Sequence, residues 1–469
     1  MENTLTTTQK ALRINLDTTI YGTFAEIGAG QDVVGNFFKA GASSGTVAKS
    51  ISAYDMIISD TIYGKEKSGR YVCQSRLDKM LKYEYDLLVE RLDKEREGAR
   101  FFSFANTISA RNYHGTNEAH GWLGIRFRNR DKTYSDLVLH IRMHDNTNQL
   151  QQKAIGILGV NMIYGAYNHD GNLENFVASL MDNLSPDRVE IDMIFTSGVD
   201  FEGFDNRLLN LELVKTGLTD AILFNDKGEV ALASDQFYKK NLLVARGSYR
   251  PPTKVNVDIL KTGVKNFAKD IGDKDVMPIC EITISNLTSS GDIAKEDFLA
   301  RVDLLASINY PVMVTNFAQY FRLTNYLSRF KPKNLSIVLG VYNFKQIFDN
   351  DYNQLKGGIL EALGLLFMEN VKIYLYPYRE EKETDELISL ENLPVDADKK
   401  HLLDFISSKS QLKDMHGYDD GLLHIYSRKV LNMITSDDKG WEELVPKKIA
   451  KTINDKCLFG HPCFYEKEK

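Results

Sequence analysis

The C-terminal half of the chain alternates short apolar runs with longer segments of helical periodicity. The apolar runs are PICEITIS, PVMVT, LSIVLGV and VKIYLYP, and the segments between them, 295–309, 317–330 and GGILEALGLLF, predict helices. Strands that alternate with helices in this way join as parallel neighbours through crossover connections. The pattern therefore predicts an α/β domain with parallel strands and crossover helices over residues 270–469, with a polar, helical tail.

The N-terminal part, residues 1–265, has a mixed pattern. An apolar run leads into a Gly-rich turn and a helix-like stretch, and RLDKMLKYEYDLLVERL has the apolar stripe of an amphipathic helix. The alternating segments GWLGIRFRNR and DLVLHIRMHDN predict an antiparallel hairpin. Chain breakers and charges in RGSYRPPTKV and KDIGDKDVMP place the domain boundary at 265–270. The predicted fold class is α/β, with two α/β domains.

Composition narrows the functional class. The chain has 469 residues, a net charge of −6 and a pI near 5.9, which gives no reason to expect a specific nucleic-acid partner. The residues after Met1 lack the apolar core of a signal peptide, and the longest apolar runs are too short to span a bilayer. The four cysteines form no CxxC pair and no disulfide-like framework. These features predict a cytoplasmic protein without a membrane partner.

Several motifs are distributed over nearly the whole chain: YGTFAEIGAGQ, GTVAKSISAYDM, HGWLGIRF, IGILGVNMIYGA, GGILEALGLLF and WEELVPKKIAKTINDKCLFG. With these motifs the chain resembles a bacterial family of about this length that carries the label nicotinate-nucleotide adenylyltransferase. The resemblance implies a nucleotide as ligand and a nucleotidyltransferase-type reaction. With a nucleotide as substrate, Mg²⁺ is the cofactor to expect.

The Gly-rich turn can be compared with the GTFxPxHxGH motif of adenylyltransferases, in which two histidines bind the nucleotide triphosphate. Gly22-Thr23-Phe24 matches the start of the motif, but the histidine positions hold Gly28 and Gln31. Gly28 and Gly30 nevertheless lie between a strand and a helix, where backbone N–H groups and the helix dipole can bind a phosphate. Two interpretations follow. Either Gly28, Gly30 and Gln31 bind an anionic ligand, or the turn is a packing corner.

The predicted hairpin carries the candidate catalytic residues. Strand alternation places His140, Arg142 and His144 on one face of the second strand, and Arg126 and Arg128 on one face of the first. If the strands pair, these side chains merge into a cationic surface suited to a phosphate or a carboxylate. We assign His140, Arg142 and Arg126 to catalysis, and Arg128 and His144 to ligand binding. The alternative is the solvated face of an antiparallel sheet.

Polar residues also mark the inferred strands. Asn286, Asn316 and Asn343 each follow a strand of the C-terminal domain, and ligands of α/β sheets bind at the carboxyl ends of strands. These amides are candidate ligand-binding residues, although asparagine also favours turns. Glu281 and Asp192 interrupt apolar strands, so we expect partly buried carboxyls with raised pKa values, acting in acid–base chemistry or in structural ion pairs.

No metal site is predicted. His140 and His144 are four strand residues apart, about 13 Å at the usual rise, which is too far to share one ion. Cys457, His461 and Cys463 in CLFGHPC have irregular spacing and lack an evident fourth ligand.

Two functions remain open at this stage. The first is an enzyme, of the nucleotidyltransferase type, that binds a nucleotide or another small phosphorylated metabolite as an anionic ligand. The second is a non-catalytic cytoplasmic scaffold that assembles into a homo-oligomer or filament, which the broken motifs and the 43% hydrophobic content would suit.

Overall fold

The computed structural model describes residues 4–67, 69–129, 131–288, 291–348, 355–368, 371–379 and 386–462. The chain divides into two compact units, Met1–Asp220 and Ala221–Lys469. The sequence boundary at 265–270 lies inside the second unit, because residues 221–265 supply strands to the sheet of that unit and a helix that packs on it.

The first unit is built on one mixed sheet. Its strands are β1 (Ile20–Gly28), β2 (Val47–Ala53), β3 (Arg100–Ser109), β4 (Ala119–Arg128), β5 (Tyr134–Met143) and β6 (Val189–Ser197). The strands lie in the order β2-β1-β3-β4-β5-β6. β1 runs parallel to β2 and β3, and the remaining neighbours are antiparallel. The pairing of β4 with β5 confirms the predicted hairpin.

Helices cover both faces of this sheet. They are α1 (Thr7–Leu16), α2 (Val33–Ala40), α3 (Met56–Tyr63), α4 (Gln74–Leu92), α5 (Asn148–Asn168), α6 (Leu173–Leu180) and α7 (Asn206–Lys215). The main apolar core joins one sheet face to α1, α2, α5, α6 and α7. The backbones of α2 and α5 approach closely, since a Cβ on Gly159 would lie 2.5 Å from Val33. The other face packs against the apolar stripe of α4, where Ser103 donates to the carbonyl of Leu81 at 2.9 Å.

The second unit contains a larger sheet and a small hairpin. The strands of the sheet are β7 (Ala221–Phe224), β8 (Val230–Ala231), β9 (Asn241–Arg246), β10 (Val276–Thr283), β11 (Val312–Thr315), β12 (Asn334–Gly340), β13 (Val371–Tyr376) and β16 (Leu412–Asp414). The hairpin pairs β14 (Tyr378–Arg379) with β15 (Leu387–Ile388). The sheet order is β16-β13-β12-β9-β10-β11-β7-β8. Neighbours from β16 to β11 are parallel, which confirms the predicted parallel strands and the α/β class.

The helices of the second unit include the predicted crossovers. They are α8 (Ala233–Phe237), α9 (Lys254–Ile271), α10 (Ile284–Thr288), α11 (Lys295–Ser307), α12 (Tyr320–Ser328), α13 (Val341–Gln346), α14 (Gly358–Leu366), α15 (Lys400–Ser407), α16 (Ser427–Thr435) and α17 (Lys447–Lys456). α11 and α12 correspond to the helices predicted at 295–309 and 317–330. α9 packs over β9 and β12, where a Cβ on Gly263 would contact Leu243 and Val338.

In the ranges given above, no helix has the length and apolar character needed to cross a membrane. Cys457 is in a disulfide bond, whereas Cys73 and Cys280 are free thiols. The prediction from cysteine spacing was wrong at Cys457, because spacing along the chain does not show which thiols meet in space. Cys463 lies outside the described residues.

Candidate functional site

A polar cluster lies on one face of the first sheet, where β4 begins and β5 ends. Trp122 lies opposite His140, and His120 lies opposite Arg142. Since alternate residues of a strand share a face, all four side chains project from the same face. Leu139, beside His140 in the chain, points instead into the apolar core. The predicted alternation of β5 is therefore confirmed.

A β-bulge in β6 brings a carboxylate to this cluster. The pairing of β5 with β6 shifts after His140, so that Met193 and Ile191 face consecutive residues of β5 and Asp192 is the extra residue. A bulge redirects the side chain of its extra residue. Asp192 therefore contacts both His140 and Arg142. In a strand without the bulge, its side chain would not lie between these two residues.

Hydrogen bonds link the cluster from the buried side towards the surface. His140 is fully buried, with its Nδ1 2.5 Å from Oδ1 of Asp192 and its Nε2 3.2 Å from Nδ1 of His120. The ring of Trp122 packs 4.9 Å from the ring of His140 and shields it. His120 itself is partly exposed. The three residues form a continuous chain from a buried carboxylate to a solvent-accessible imidazole.

The carboxyl of Asp192 is ionised in this setting. Burial would raise its pKa, but the contacts with His140 and Arg142 outweigh burial and lower the pKa to about 2. Arg142 donates from Nε to Oδ2 at 2.8 Å, while His140 occupies the other oxygen. The expectation of a raised pKa for Asp192 was wrong, because the sequence did not show these two partners.

His120 is neutral at pH 7. Burial first, and then the nearby His140 and Arg142, lower the pKa of His120 to about 4. A carboxylate only accepts hydrogen bonds, so His140 donates from Nδ1 to Asp192. The direction of the bond between Nε2 of His140 and Nδ1 of His120 depends on the tautomers of the two rings.

Further charges surround the cluster. Arg142 forms a second ion pair with Glu118, a residue that is 49% exposed. His144 lies 3.6 Å from Glu190, and its predicted role in ligand binding stays a prediction. Carboxylates are thus at least as numerous as cations at this end of the face.

Arg126 and Arg128 lie further along β4, on the same face of the sheet. Arg126 forms a two-bond pair with Asp136, and Arg128 bonds to Asp93 at 2.5 Å. Arg126 lies opposite Asp136, which precedes His140 by four residues. Arg126 is therefore about 13 Å from His140 along the strand direction. Arg128 borders two clefts of about 430 and 440 Å³ instead. The predicted cationic surface is therefore compensated by carboxylates, and the catalytic role of Arg126 stays a prediction.

The Gly-rich turn after β1 is closed by protein groups. Oε1 of Glu26 accepts a hydrogen bond from the backbone N–H of Val33 at 2.9 Å, in the first turn of α2. Burial raises the pKa of Glu26 to about 7. The Glu26 side chain thus occupies the position at the N-terminus of α2 where a phosphate would bind.

The glycines of this turn allow close packing. A Cβ on Gly30 would lie 2.4 Å from Oδ1 of Asn106, whose amide donates to the carbonyl of Gly30. Gly28 has φ +76°, a conformation that favours glycine. These contacts favour the packing interpretation. Phosphate binding by Gly28, Gly30 and the exposed Gln31 stays a prediction.

The asparagines of the second unit lie at one edge of its sheet. Asn286, Asn316 and Asn343 follow β10, β11 and β12, and these parallel strands end at the same edge. Asn286 accepts hydrogen bonds from the backbone and hydroxyl of Thr283, whereas Asn316 and Asn343 are exposed. The structure brings these residues to a common edge, and their ligand-binding role stays a prediction.

An ion pair crosses the same edge and gives Glu281 the structural role that the sequence had left open, with Arg246 as the partner that the sequence did not predict. Arg246 at the end of β9 forms a two-bond pair with the fully buried Glu281 of β10, at 2.9 Å for each bond. Thr315 of β11 donates to Glu281 at 2.6 Å. The Arg246 guanidinium also lies 4.2 Å over the ring of Tyr320. These contacts fix the ends of β9, β10 and β11 relative to one another.

Tyrosines line the neighbouring part of this edge. The ring of Tyr378 lies 4.4 Å from that of Tyr342, which follows β12, and 6.1 Å from that of Tyr426. Tyr376 packs 5.7 Å from Tyr418 and donates to Asp258 in α9. We call Tyr342, Tyr378 and Tyr426 the tyrosine cluster. Of the alternating tyrosines in IYLYPY, only Tyr378 belongs to this cluster, so the local sequence gave no signal for it.

Among the residues that the structure describes, no group of three or more His, Cys, Asp and Glu side chains could hold a metal ion.

No protein-family model and no curated protein matches this sequence. Partial similarity exists to solved structures of competence/damage-inducible proteins. The Agrobacterium tumefaciens protein CihA is 17% identical, covers 35% of this chain and 97% of its own, and has a TM-score of 0.25. A CinA superfamily protein from Enterobacter cloacae is 14% identical, with 36% and 96% coverage and a TM-score of 0.26. Scores this low establish neither the fold nor the function of this chain.

Proposed function

We propose that the second unit binds a nucleotide, or another small phosphorylated metabolite with an aromatic ring, at the carboxyl ends of β9 and β12. The observation that carries this proposal is the order of the parallel strands, β11-β10-β9-β12-β13-β16. Numbered along the chain, this is the 3-2-1-4-5-6 order of doubly wound nucleotide-binding sheets. The order reverses between β9 and β12, and ligands of such sheets bind in the crevice at that point.

The tyrosine cluster supplies a surface for the base. Tyr342 lies two residues after the end of β12 and is 36% exposed, while Tyr378 packs edge-on against it. Aromatic side chains stack on nucleobases with little dependence on base identity. We therefore expect the base to pack on Tyr342 and the recognition of its identity to be weak.

The turn after β9 supplies positive charge for the phosphate. Arg250 and Arg301 both pair with Asp297, which brings two guanidinium groups to this turn. Arg301 also donates to the carbonyl of Ser248 at 3.1 Å and holds the turn in place. Arg250 is 26% exposed and provides the donor geometry that suits a phosphate.

The same turn limits the size of the ligand. Dinucleotide-binding turns use several glycines so that the backbone can approach a pyrophosphate. Here residues 247–253 contain one glycine, Gly247, and the ring of Tyr249 packs within 3.1 Å of the position of its missing Cβ. This arrangement favours a mononucleotide over a dinucleotide.

Calorimetric titration of the full chain with AMP, adenosine and ATP, with and without Mg²⁺, tests the proposal. We expect Tyr342→Ala to raise the Kd for AMP about 5- to 150-fold, the equivalent of one lost base stack. Arg250→Gln should weaken the binding of AMP and leave the binding of adenosine unchanged, because only AMP carries the phosphate.

Tyr238→Ala is the matched control. Tyr238 is 43% exposed and precedes β9, at the opposite edge of the sheet. The proposal fails if none of the nucleotides binds the wild-type protein. It also fails if Tyr238→Ala weakens the binding of AMP as much as Tyr342→Ala does.

A further inference from the structure

Two adjoining clefts lie at the end of the first sheet where β1 and β3 begin and β4 ends. Arg100, Arg128 and Asn129 line both clefts, whose volumes are within the range of small-molecule sites. We propose that they bind a small phosphate ester with hydroxyl groups, of the sugar-phosphate class, at a site separate from the nucleotide site of the second unit. The cleft of about 430 Å³, which we call the first cleft, holds the phosphate. The cleft of about 440 Å³, the second cleft, holds the hydroxylated part.

Three segments bring positive charge to the first cleft. Arg100 is the first residue of β3, Arg128 is the last residue of β4, and Lys132 lies in the turn from β4 to β5. Among the described residues that line this cleft, Asp17 is the only carboxylate. Asp93 bonds to Arg128 at 2.5 Å and lies 4.0 Å from Lys132. The three cations outnumber the two carboxylates that line the cleft or pair with them, which favours an anionic ligand.

Arg128 is the most buried of the three cations, with 7% of its surface exposed. Its Nη1 donates to Asp93, whose side chain is 34% exposed, and the hydroxyl of Tyr85 is a further partner. Its Nε is buried and has no hydrogen-bond partner among the described residues. Burial of a guanidinium is costly unless its charge is well compensated. A phosphate in the first cleft supplies a second anionic partner, in addition to the partly exposed Asp93.

Donors remain on the other two cations. Nε of Arg100 donates to Thr19 and Nη2 to Asp17, whereas no hydrogen bond joins its Nη1 to a described residue. Lys132 is 68% exposed, with Asp93 4.0 Å from its Nζ. The three oxygens of a phosphate ester can each accept from a different cation, whereas a carboxylate offers two oxygens. Three cations from three segments therefore suit a phosphate better than a carboxylate.

The second cleft has a different lining. It combines ring and carboxylate side chains, namely Phe127, Tyr167, His169, Asp131 and Asp200. Thr133 donates to Asp131 at 2.6 Å, and Ser135 donates to Asp200 at 2.8 Å. A carboxylate has about four lone pairs, so both keep the capacity to accept from ligand hydroxyls. The same carboxylates repel a phosphate, which places the phosphate in the first cleft.

Phosphorus-31 NMR titration of the full chain with inorganic phosphate and with glucose 6-phosphate tests the inference. The titrations use an Arg250→Gln background, which removes the phosphate contact proposed for the second unit, so their result does not depend on the nucleotide site. We expect both compounds to bind, and glucose 6-phosphate to bind more tightly because it also occupies the second cleft. Arg100→Gln should raise the Kd of both compounds about 10- to 150-fold, the equivalent of one lost charge-assisted hydrogen bond.

Lys132→Gln is the second variant, since an exposed side chain can be replaced without loss of the fold, and it should raise the Kd about tenfold. Lys82→Gln is the matched control, because Lys82 is 69% exposed and pairs with a single aspartate, as the 68% exposed Lys132 does. The control should leave both affinities unchanged. Three results would each overturn the inference: no binding at millimolar concentrations, glucose 6-phosphate binding no more tightly than inorganic phosphate, or equal losses for Lys132→Gln and Lys82→Gln.

Discussion

Replacement of Asp192 by asparagine perturbs the buried carboxylate of the polar cluster in the first unit. The carboxylate accepts from Nδ1 of His140 and from Nε of Arg142, and its side chain is 6% exposed. The asparagine would keep the shape of the side chain but lose its charge. Its NH₂ group would also face one of the two donors, Nδ1 of His140 or Nε of Arg142. The buried Arg142 guanidinium would then lose its buried carboxylate partner and keep only the half-exposed Glu118 of these two.

The structure sets the size of the effect. The pKa of Asp192 falls from 3.8 to about 2 on folding, which corresponds to about 2 kcal/mol of the free energy of unfolding at pH 7. Removal of one partner from a buried ion pair typically costs about 3–5 kcal/mol. We therefore expect Asp192→Asn to lower the stability of the first unit by about 2–5 kcal/mol. The contribution of Asp192 is present above its unfolded pKa and is lost as the pH falls through about 2.

Urea unfolding followed by tryptophan fluorescence measures this loss. Trp122 lies in the first unit and Trp441 in the second, so a Trp441→Phe background makes the signal report the first unit. Asp86→Asn is the control, since Asp86 is 55% exposed and pairs with Lys82 on the same helix, a contact of about 0.5 kcal/mol or less. A loss for Asp192→Asn no larger than that of the control would refute the reasoning.

Two further predictions concern the turn after β1, and the same fluorescence assay tests both. Gly30→Val should destabilise the first unit by about 1–3 kcal/mol, because the new Cβ would lie 2.4 Å from Oδ1 of Asn106. Gly203→Val is the control, since no atom lies within 4 Å of the position of its Cβ. Equal stabilities of the two variants would contradict the packing interpretation. Burial raises the pKa of Glu26 from 4.5 to about 7, so the fold favours the protonated form and stability should fall by about 3 kcal/mol from pH 4.5 to pH 8. Glu26→Gln should remove that part of the pH dependence, and an unchanged pH profile would count against the buried carboxyl.

The regular parts of the fold could be predicted from local patterns. Short apolar runs separated by helices predicted the parallel strands β10 to β13, because such strands need crossover helices. Strand alternation placed His140 and Arg142 on one face, as β5 has them. The domain boundary lies at 220–221 rather than at the predicted 265–270, because the short strands β7 and β9 belong to the second sheet. β7 pairs with β11, and β9 pairs with β10 and β12, and no local pattern shows these partners.

The missing parts of the candidate sites depend on contacts between distant segments. Alternation along β6 does not reveal a bulge, so the meeting of Asp192 with His140 could not be predicted. Glu26 reaches the N-terminus of α2 only because the chain reverses at Gly28–Gly30. The partners of Arg126 and Arg128, Asp136 and Asp93, likewise come from other elements.

Hydrogen–deuterium exchange of the full chain with and without AMP tests the proposed nucleotide site most directly. The account expects slower exchange in residues 247–253, after β9, and 341–343, after β12, because the ligand would cover the edge where the strand order reverses. Unchanged exchange in both segments, or slower exchange confined to the turn at Gly28–Gly30, would contradict the account.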